Sequence, residues 1–491
     1  MIFVFLSIHL SLFFLIVFSL VFNTVKPLKA LILCGFFDII YISKAKGVSQ
    51  MKRSEYIDRN QFFYTTYDEM VEQDSFVRYV DKYIQSIDLK LMGFTEYDNI
   101  VGRPAYDPRV LISLILYGCM EGCTTSRKLE SKAKRDVEYL WLLGGAKPDH
   151  STIAKFKKNN CEAFSNLFYD FVDRCIKSGL ISGDIVAVDG TKVRAYNSKK
   201  NNYSEKTLKR KIESLERKIQ AIIKCEKDKI LKEELSDLIK RKKQYLQYLE
   251  ELQNSGDTQI STIDTDARLM DNKRGGLDVG YNVQATVDNE NALVVDTYVT
   301  NKPADNHELA TAALRAKEIL SEDEITILAD KGYYEGENLQ TCFDNGITPI
   351  VSKQAAPHKA GRFSMDDYHY NEDRDSFTCP NGAELTRKSK EDAKQIIYSN
   401  REACKDCPFK DKCFKSNKRQ PYKSIIKNQH FKTYRKADAL FEANIELYHR
   451  RQELNEHVFG SVKRQIGFPI IYVRGIRSVS AEFCIHFLCY N

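Results

Sequence analysis

The sequence predicts an α/β domain carrying two inserts and preceded by an all-α domain. Three observations lead there. Residues 51–180 repeat apolar side chains at helical spacing. Two short β-branched runs, DIVAVDG and ITILAD, each reach an aspartate. Strand and helix signals then alternate through 279–352, the order expected of an α/β plan.

The first fifty residues do not match the rest. MIFVFLSIHLSLFFLIVFSLVF is an almost unbroken apolar run whose length fits a membrane helix. A signal peptide fits poorly, because no basic residue precedes the run and no small-residue cleavage site follows it. Soluble composition starts abruptly at Met51, in MKRSEYIDRNQFFY. We read 1–50 as an upstream extension outside the native protein, with a genuine membrane segment as the alternative; no membrane partner is expected for 51–491.

Bulk properties narrow the class. Hydrophobic residues make up 43% and charged residues 29%, an ordinary globular balance that excludes a disordered polar chain. A formal charge of +7 is a mild basic excess, which permits a nucleic-acid partner without requiring one. The thirteen cysteines are odd in number and several lie in helical stretches, so a disulfide scaffold is excluded and a reducing, cytoplasmic setting is expected.

Within 51–180, GRPAYDPRVLISLILYGCMEG predicts a buried helix starting near Pro108, and TTSRKLESKAKRDVEYLWLL a helix with a basic face. PDHSTIAKFKKNN predicts a short helix capped by Asp149 or Ser151. Its Lys155, Lys157 and Lys158, following the GGAKP turn, fit either a DNA-contacting helix-turn-helix or a plain bundle with a solvated face. Residues 203–253 step apolar residues by three and four in two phases, which predicts an antiparallel helical hairpin. Residues 355–430 read as polar and irregular, and a long helix is expected from about Lys432 through Glu456 to Lys463.

Cleaving a phosphodiester needs an in-line oxygen nucleophile and neutralisation of charge at phosphorus. Two divalent ions about 4 Å apart supply both. Mg2+ takes hard oxygen ligands, so converging carboxylates are the residues to look for. Asp189 and Asp330 each end an expected buried strand, and Gly190 and Gly332 follow them, which would let a substrate approach. Glu456 lies in RRQELNEHVFGSVKRQIGF with Lys463 seven residues on, on one helix face. Spacing alone favours reading that helix as a solvated surface laced with ion pairs, and Glu453 rivals Glu456.

From about Tyr56 onward the chain resembles bacterial insertion-sequence transposases of the DDE class with an InsH-like N-terminal module. The strings that carry the resemblance are GRPAYDPRVLISLILYG, SRKLES, VAVDGTKVRAYNSKKNNYSEKTL, VDTYVTNKPADNHEL, LADKGYYEGENL, CKDCPFKDKC and NEHVFGSVKRQIGF. It implies a helical DNA-binding module over 51–180 and an RNase H-like catalytic domain over 181–491, with the hairpin 203–253 and the cysteine-bearing 355–430 as inserts. It implies a catalytic, Mg2+- or Mn2+-binding triad of Asp189, Asp330 and Glu456, with Lys463 on phosphate. The family's usual arginine falls at Gln452 here, with Arg451 one step earlier; Arg451 and Arg464 are expected to contact phosphate.

Tyr333 and Tyr334 either stack on an unpaired base at the transposon end or pack internally. Cys379, Cys404, Cys407 and Cys413 form a knuckle-like set that would suit a structural Zn2+, with free buried thiols or a redox pair as the alternatives. Cleavage and strand transfer at terminal inverted repeats, within a homodimeric synaptic complex, is the implied activity. Family members run on past the final Tyr-Asn, so a truncated, inactive copy that only binds transposon ends is the alternative.

Overall fold

A computed structural model describes residues 64–95, 104–224, 229–272, 276–353, 362–389, 395–413, 422–466 and 470–491. The chain divides into two compact units, Met1–Thr65 and Thr66–Asn491, and the described helices and strands lie in the second. The reading of 1–50 lies outside the described residues. Among the described residues no helix is long and apolar enough to cross a membrane.

The first part is helical: α1 (Phe76–Gln85), α2 (Pro108–Met120), α3 (Ser126–Arg135), α4 (Val137–Leu142), α5 (His150–Asn159) and α6 (Cys161–Lys177). Local chemistry sets the starts. Asp107 caps α2 through the Arg109 N–H at 2.8 Å, with Pro108 in the first turn where its missing N–H costs nothing. Asp149 caps α5 through the N–H groups of Ser151 and Thr152. Helix α2 is buried over most of its circumference, as an apolar run without a polar stripe must be.

The sheet begins with β1 (Ile185–Ala195). A charged hairpin follows, α7 (Glu205–Lys224) and α8 (Lys229–Ser255). Leu208 and Leu252 seal its base, and Lys242 pairs with Glu216 at 2.9 Å farther out, so the two helices run antiparallel. Then come β2 (Arg268–Asn272), β3 (Gly276–Asp288), β4 (Val294–Thr300), α9 (Leu309–Leu320), β5 (Ile325–Ala329), α10 (Gly336–Asp344) and β6 (Ile347–Val351). The strand order is β2-β3-β1-β5-β6, with β4 also on β3. Strands β1, β5 and β6 are mutually parallel, while β3 runs antiparallel to β1 and β4.

Strand β1 continues six residues past Asp189, because β3 pairs with it from Val186 to Arg194. Asp189 is therefore mid-strand and does not end it. Close approach at the far end of this ladder requires glycine: a Cβ on Gly280 would land on the Val193 carbonyl across the pair.

Residues 355–430 are less irregular than the sequence predicts. They hold a five-stranded antiparallel sheet of β7 (His369–Asn371), β8 (Ser376–Thr378), β9 (Glu384–Arg387), β10 (Gln395–Ser399) and β11 (Ser424–Asn428). Its own small core is Tyr368, Phe377, Leu385, Tyr398 and Ile425. The single long helix expected next is two, α11 (Phe431–Ala443) and α12 (Ile445–Ile466). A short β12 (Ile470–Ile471) joins β1, and α13 (Ile476–Tyr490) is buried along most of its length.

The helices and the sheet share one core. Across it, Asp296 of β4, fully buried, takes a bidentate pair from Arg315 of α9 at 2.8 Å for each contact. Tyr169 of α6 donates to the same carboxylate at 2.8 Å.

Candidate active site

Register brings the two aspartates together. In the parallel β1–β5 pair, Val188 stands beside Ala329, so the next residues, Asp189 and Asp330, are neighbours across strands spaced about 4.8 Å. The Asp189 carboxylate accepts from the Gly190 N–H at 2.8 Å, and Asp330 from the Lys331 N–H at 2.7 Å. Those bonds fix one oxygen of each. Arg451 of α12 spans both: its Nη1 is 3.8 Å from Asp189 Oδ2 and its Nη2 3.8 Å from Asp330 Oδ1. Arg451 is 13% exposed, against 32% and 34% for the aspartates, so the guanidinium lies beneath them and the carboxylates border the solvent. Burial raises the Asp189 carboxyl above its ordinary value. The Gly190 N–H and Arg451 oppose that rise, and the nearby Asp330 and Asp305 add to it.

Gly190 has a different role from the one its position predicts. A Cβ there would strike Gln284, Asp305 and Asn282, so the missing side chain admits the protein's own polar groups, not a substrate. Asp305 is the hub of that group: Oδ1 accepts from Asn282 at 2.6 Å, Lys192 at 2.9 Å and Gln284 at 3.0 Å. Gly332, by contrast, faces open space.

Glu456 is not drawn into this cluster. It is exposed on α12 and accepts from Gln452 Nε2 at 3.0 Å. At roughly 100° per residue, Glu456 sits about 140° around the helix from Arg451. Among the described residues no group of three or more His, Cys, Asp or Glu is arranged to hold a metal ion. The two aspartates are hard oxygen donors already gathered about one cation, which suits Mg2+ or Mn2+ in chemistry and in charge.

Other expected site residues fall in varied places. Arg451 faces the aspartates, not open solvent where DNA would meet it. Lys463 is half-buried beside Phe459, and Arg464 is exposed. Lys155 and Lys158 are exposed on α5, but Lys157 is committed to Glu482 of α13 at 2.5 Å. Tyr333 is buried with its hydroxyl donating to Gln284 Oε1 at 2.5 Å, so it packs and offers no face to a base. Tyr334 stacks on Tyr434 and donates to Asp438 at 2.6 Å.

Cys379, Cys404, Cys407 and Cys413 do line one pocket, with Tyr368 and Phe409 among its walls. Among the described residues no three of these thiols are arranged to hold an ion, so the structure gives the Zn2+ expectation no support. Sequence reading missed the Asp305 hub and the inward position of Arg451. It also missed Asn455, fully buried on α12 with neither amide atom partnered among the described residues. The only signal for the last two was the helical phase of 451 and 455 against 458 and 462.

Comparison with known proteins bears on the class. Residues 65–159 match a family described as "Transposase domain (DUF772)", and residues 378–491 match one described as "Transposase DDE domain". The second match includes Arg451, Glu456 and Lys463, and neither match reaches Asp189 or Asp330. No curated protein matches. A cryo-EM structure of a piggyBac transposase synaptic complex with hairpin DNA is 8% identical, covering 85% of this chain and 78% of that one. Its TM-score of 0.25 is too low to bear on the fold. The two family matches point to a transposase. More narrowly, they support an insertion-sequence transposase of the DDE class.

Proposed function

We propose that the protein cleaves and joins DNA strands at the ends of its insertion sequence, using divalent metal ions held at Asp189 and Asp330. The observation that carries this is the convergence of two strand-borne aspartates on one guanidinium, at 3.8 Å each, in a chain of the DDE class. A central β1, with parallel strands on one side and an antiparallel pair on the other, supports the RNase H-like reading of the domain.

Bound there, divalent ions would neutralise phosphate charge and lower the pKa of an attacking water or hydroxyl. The chain's own groups do the positioning. Asp189 and Asp330 are set by strand register and by the N–H groups of Gly190 and Lys331. Glu456, on the solvent side of α12, is the third acidic residue and would meet the site from the DNA side. Lys463 shares that side and would take a phosphate oxygen. Exposed Lys155, Lys158 and Arg464 would contribute salt-sensitive, sequence-blind contacts to backbone phosphates. In the first step a water oxygen bonds to phosphorus as the bond to the 3′ oxygen breaks, leaving a 3′ hydroxyl. In the second, that hydroxyl attacks a target phosphodiester and displaces another 3′ oxygen. A homodimer holding two ends is the expected working form.

The outward position of Glu456 favours a second reading, a copy that binds transposon ends without cutting them. Purified protein, duplexes ending in the element's terminal repeats and Mg2+ separate the two. The proposal expects nicks with free 3′ hydroxyls and, with target plasmid present, joined products. A gel shift of the same duplexes with no cleavage in either Mg2+ or Mn2+ selects the second reading.

A further inference from the structure

The face of α12 that meets the sheet carries Arg451, Asn455, Val458 and Val462. Val458 and Val462 are buried, and Asn455 is buried completely. Asn455 lies one helical turn past Arg451 and about 40° around from it, so it points to the same side as the residue that spans the aspartates. Among the described residues, both its amide oxygen and its amide nitrogen lack a hydrogen-bond partner. The Arg451 Nε is orphaned in the same way.

This is an unusual use of a core position. An unpaired buried polar group is costly, and a leucine of similar volume would carry no such penalty. The sites before and after it on this face are apolar or, at 451, cationic. What the amide is suited to is a partner that the described residues do not provide. An asparagine carbonyl is a hard oxygen donor of the kind Mg2+ and Mn2+ accept beside one or two carboxylates.

We propose that Asn455 supplies an oxygen ligand to the divalent ion held by Asp189 and Asp330, an inference that rests on the assignment of those aspartates as metal ligands. Arg451 then acts as the resident cation of the metal-free chain, neutralising the carboxylates until an ion takes that place. Asn455, buried and neutral, is already poised on the same side of the helix. Helix α12 thus presents two faces to the reaction: an inner one with Arg451 and Asn455 for the ion, and an outer one with Glu456 and Lys463 for DNA.

Mn2+ alone is the probe, titrated into the full chain without DNA and followed by calorimetry and electron paramagnetic resonance. Asp189→Ala should abolish binding. Asn455→Leu should weaken it at least about tenfold while keeping the wild-type circular dichroism spectrum. If Asp189→Ala abolishes binding and a folded Asn455→Leu binds Mn2+ as wild type does, Asn455 is only a buried amide and the inference falls. If Asp189→Ala binds normally, the aspartate assignment itself falls, and the inference with it. Should Asn455→Leu fold poorly, protein labelled with 13C at the asparagine side-chain carbonyl gives an independent reading. A 13C hyperfine coupling to bound Mn2+ that vanishes in Asn455→Asp supports coordination, and no coupling in the labelled wild type overturns it.

Discussion

Asp189→Ala and Asp330→Ala are each expected to lower Mg2+-dependent nicking of transposon-end DNA by at least about a thousandfold, while end binding in a gel shift stays within about twofold. Each aspartate is one of the two carboxylates that converge on the shared cation, so losing either leaves a single anchor for the ions. Binding should persist because the exposed cations on α5 and the outer face of α12 lie on other elements. The fold should persist too. Both side chains are about one-third exposed, and losing either leaves Arg451 the other aspartate as an ion partner. Equal nicking by mutant and wild type would remove these residues from the reaction.

The largest effect on stability is expected at Asp296. Its carboxylate is wholly buried and takes three hydrogen bonds at 2.8 Å, two from Arg315 and one from Tyr169. Removing one member of a buried pair leaves the other uncompensated, which costs about 3–5 kcal/mol. Asp296→Ala should fall near about 3 kcal/mol, because Arg315 retains some contact with water and can recover part of its solvation. Asp296→Asn should cost less, since one amide can still accept from Tyr169. Chemical denaturation of the three proteins checks this. The network also ties the N-terminal helices to the sheet through α6, so the loss should appear in every probe of unfolding, not in the helices alone. A change under about 1 kcal/mol would mean the network is not a structural tie.

Much of this architecture could be read from local signals. The Asp107-Pro108 start of α2 and the Asp149 cap of α5 are short-range chemistry, and the structure repeats them. The β-branched runs at 185–188 and 325–329 became adjacent parallel strands, which is why Asp189 and Asp330 meet. What failed was set by partners distant in sequence. Gly190 looked like a strand end, yet β3 and β12 carry β1 on to Ala195. The strands β7 to β11 are three to five residues each, too short for alternation to register, and aromatic packing around Phe377 holds them. No glycine or proline marks the break between α11 and α12. The Asn444 side chain instead turns back to the Leu440 carbonyl at 2.8 Å.

At the candidate site, the sequence offered residues but not their orientation. Sequence could name the acidic residues and place Glu456 on a late helix. It could not phase that helix against the sheet, and the phase decides that Arg451 and Asn455 face inward while Glu456 faces out. Tyr333 shows the same limit. Nothing local distinguishes a ring that stacks on a base from one that packs over Gln284, and the burial of its hydroxyl decides it.

The most direct measurement is the anomalous scattering of crystals grown with Mn2+. The account predicts a peak between the carboxylates of Asp189 and Asp330, with the Arg451 guanidinium displaced from its position across them. Crystals that take up Mn2+ elsewhere, or leave Arg451 still spanning the two aspartates at a saturating concentration, would contradict it.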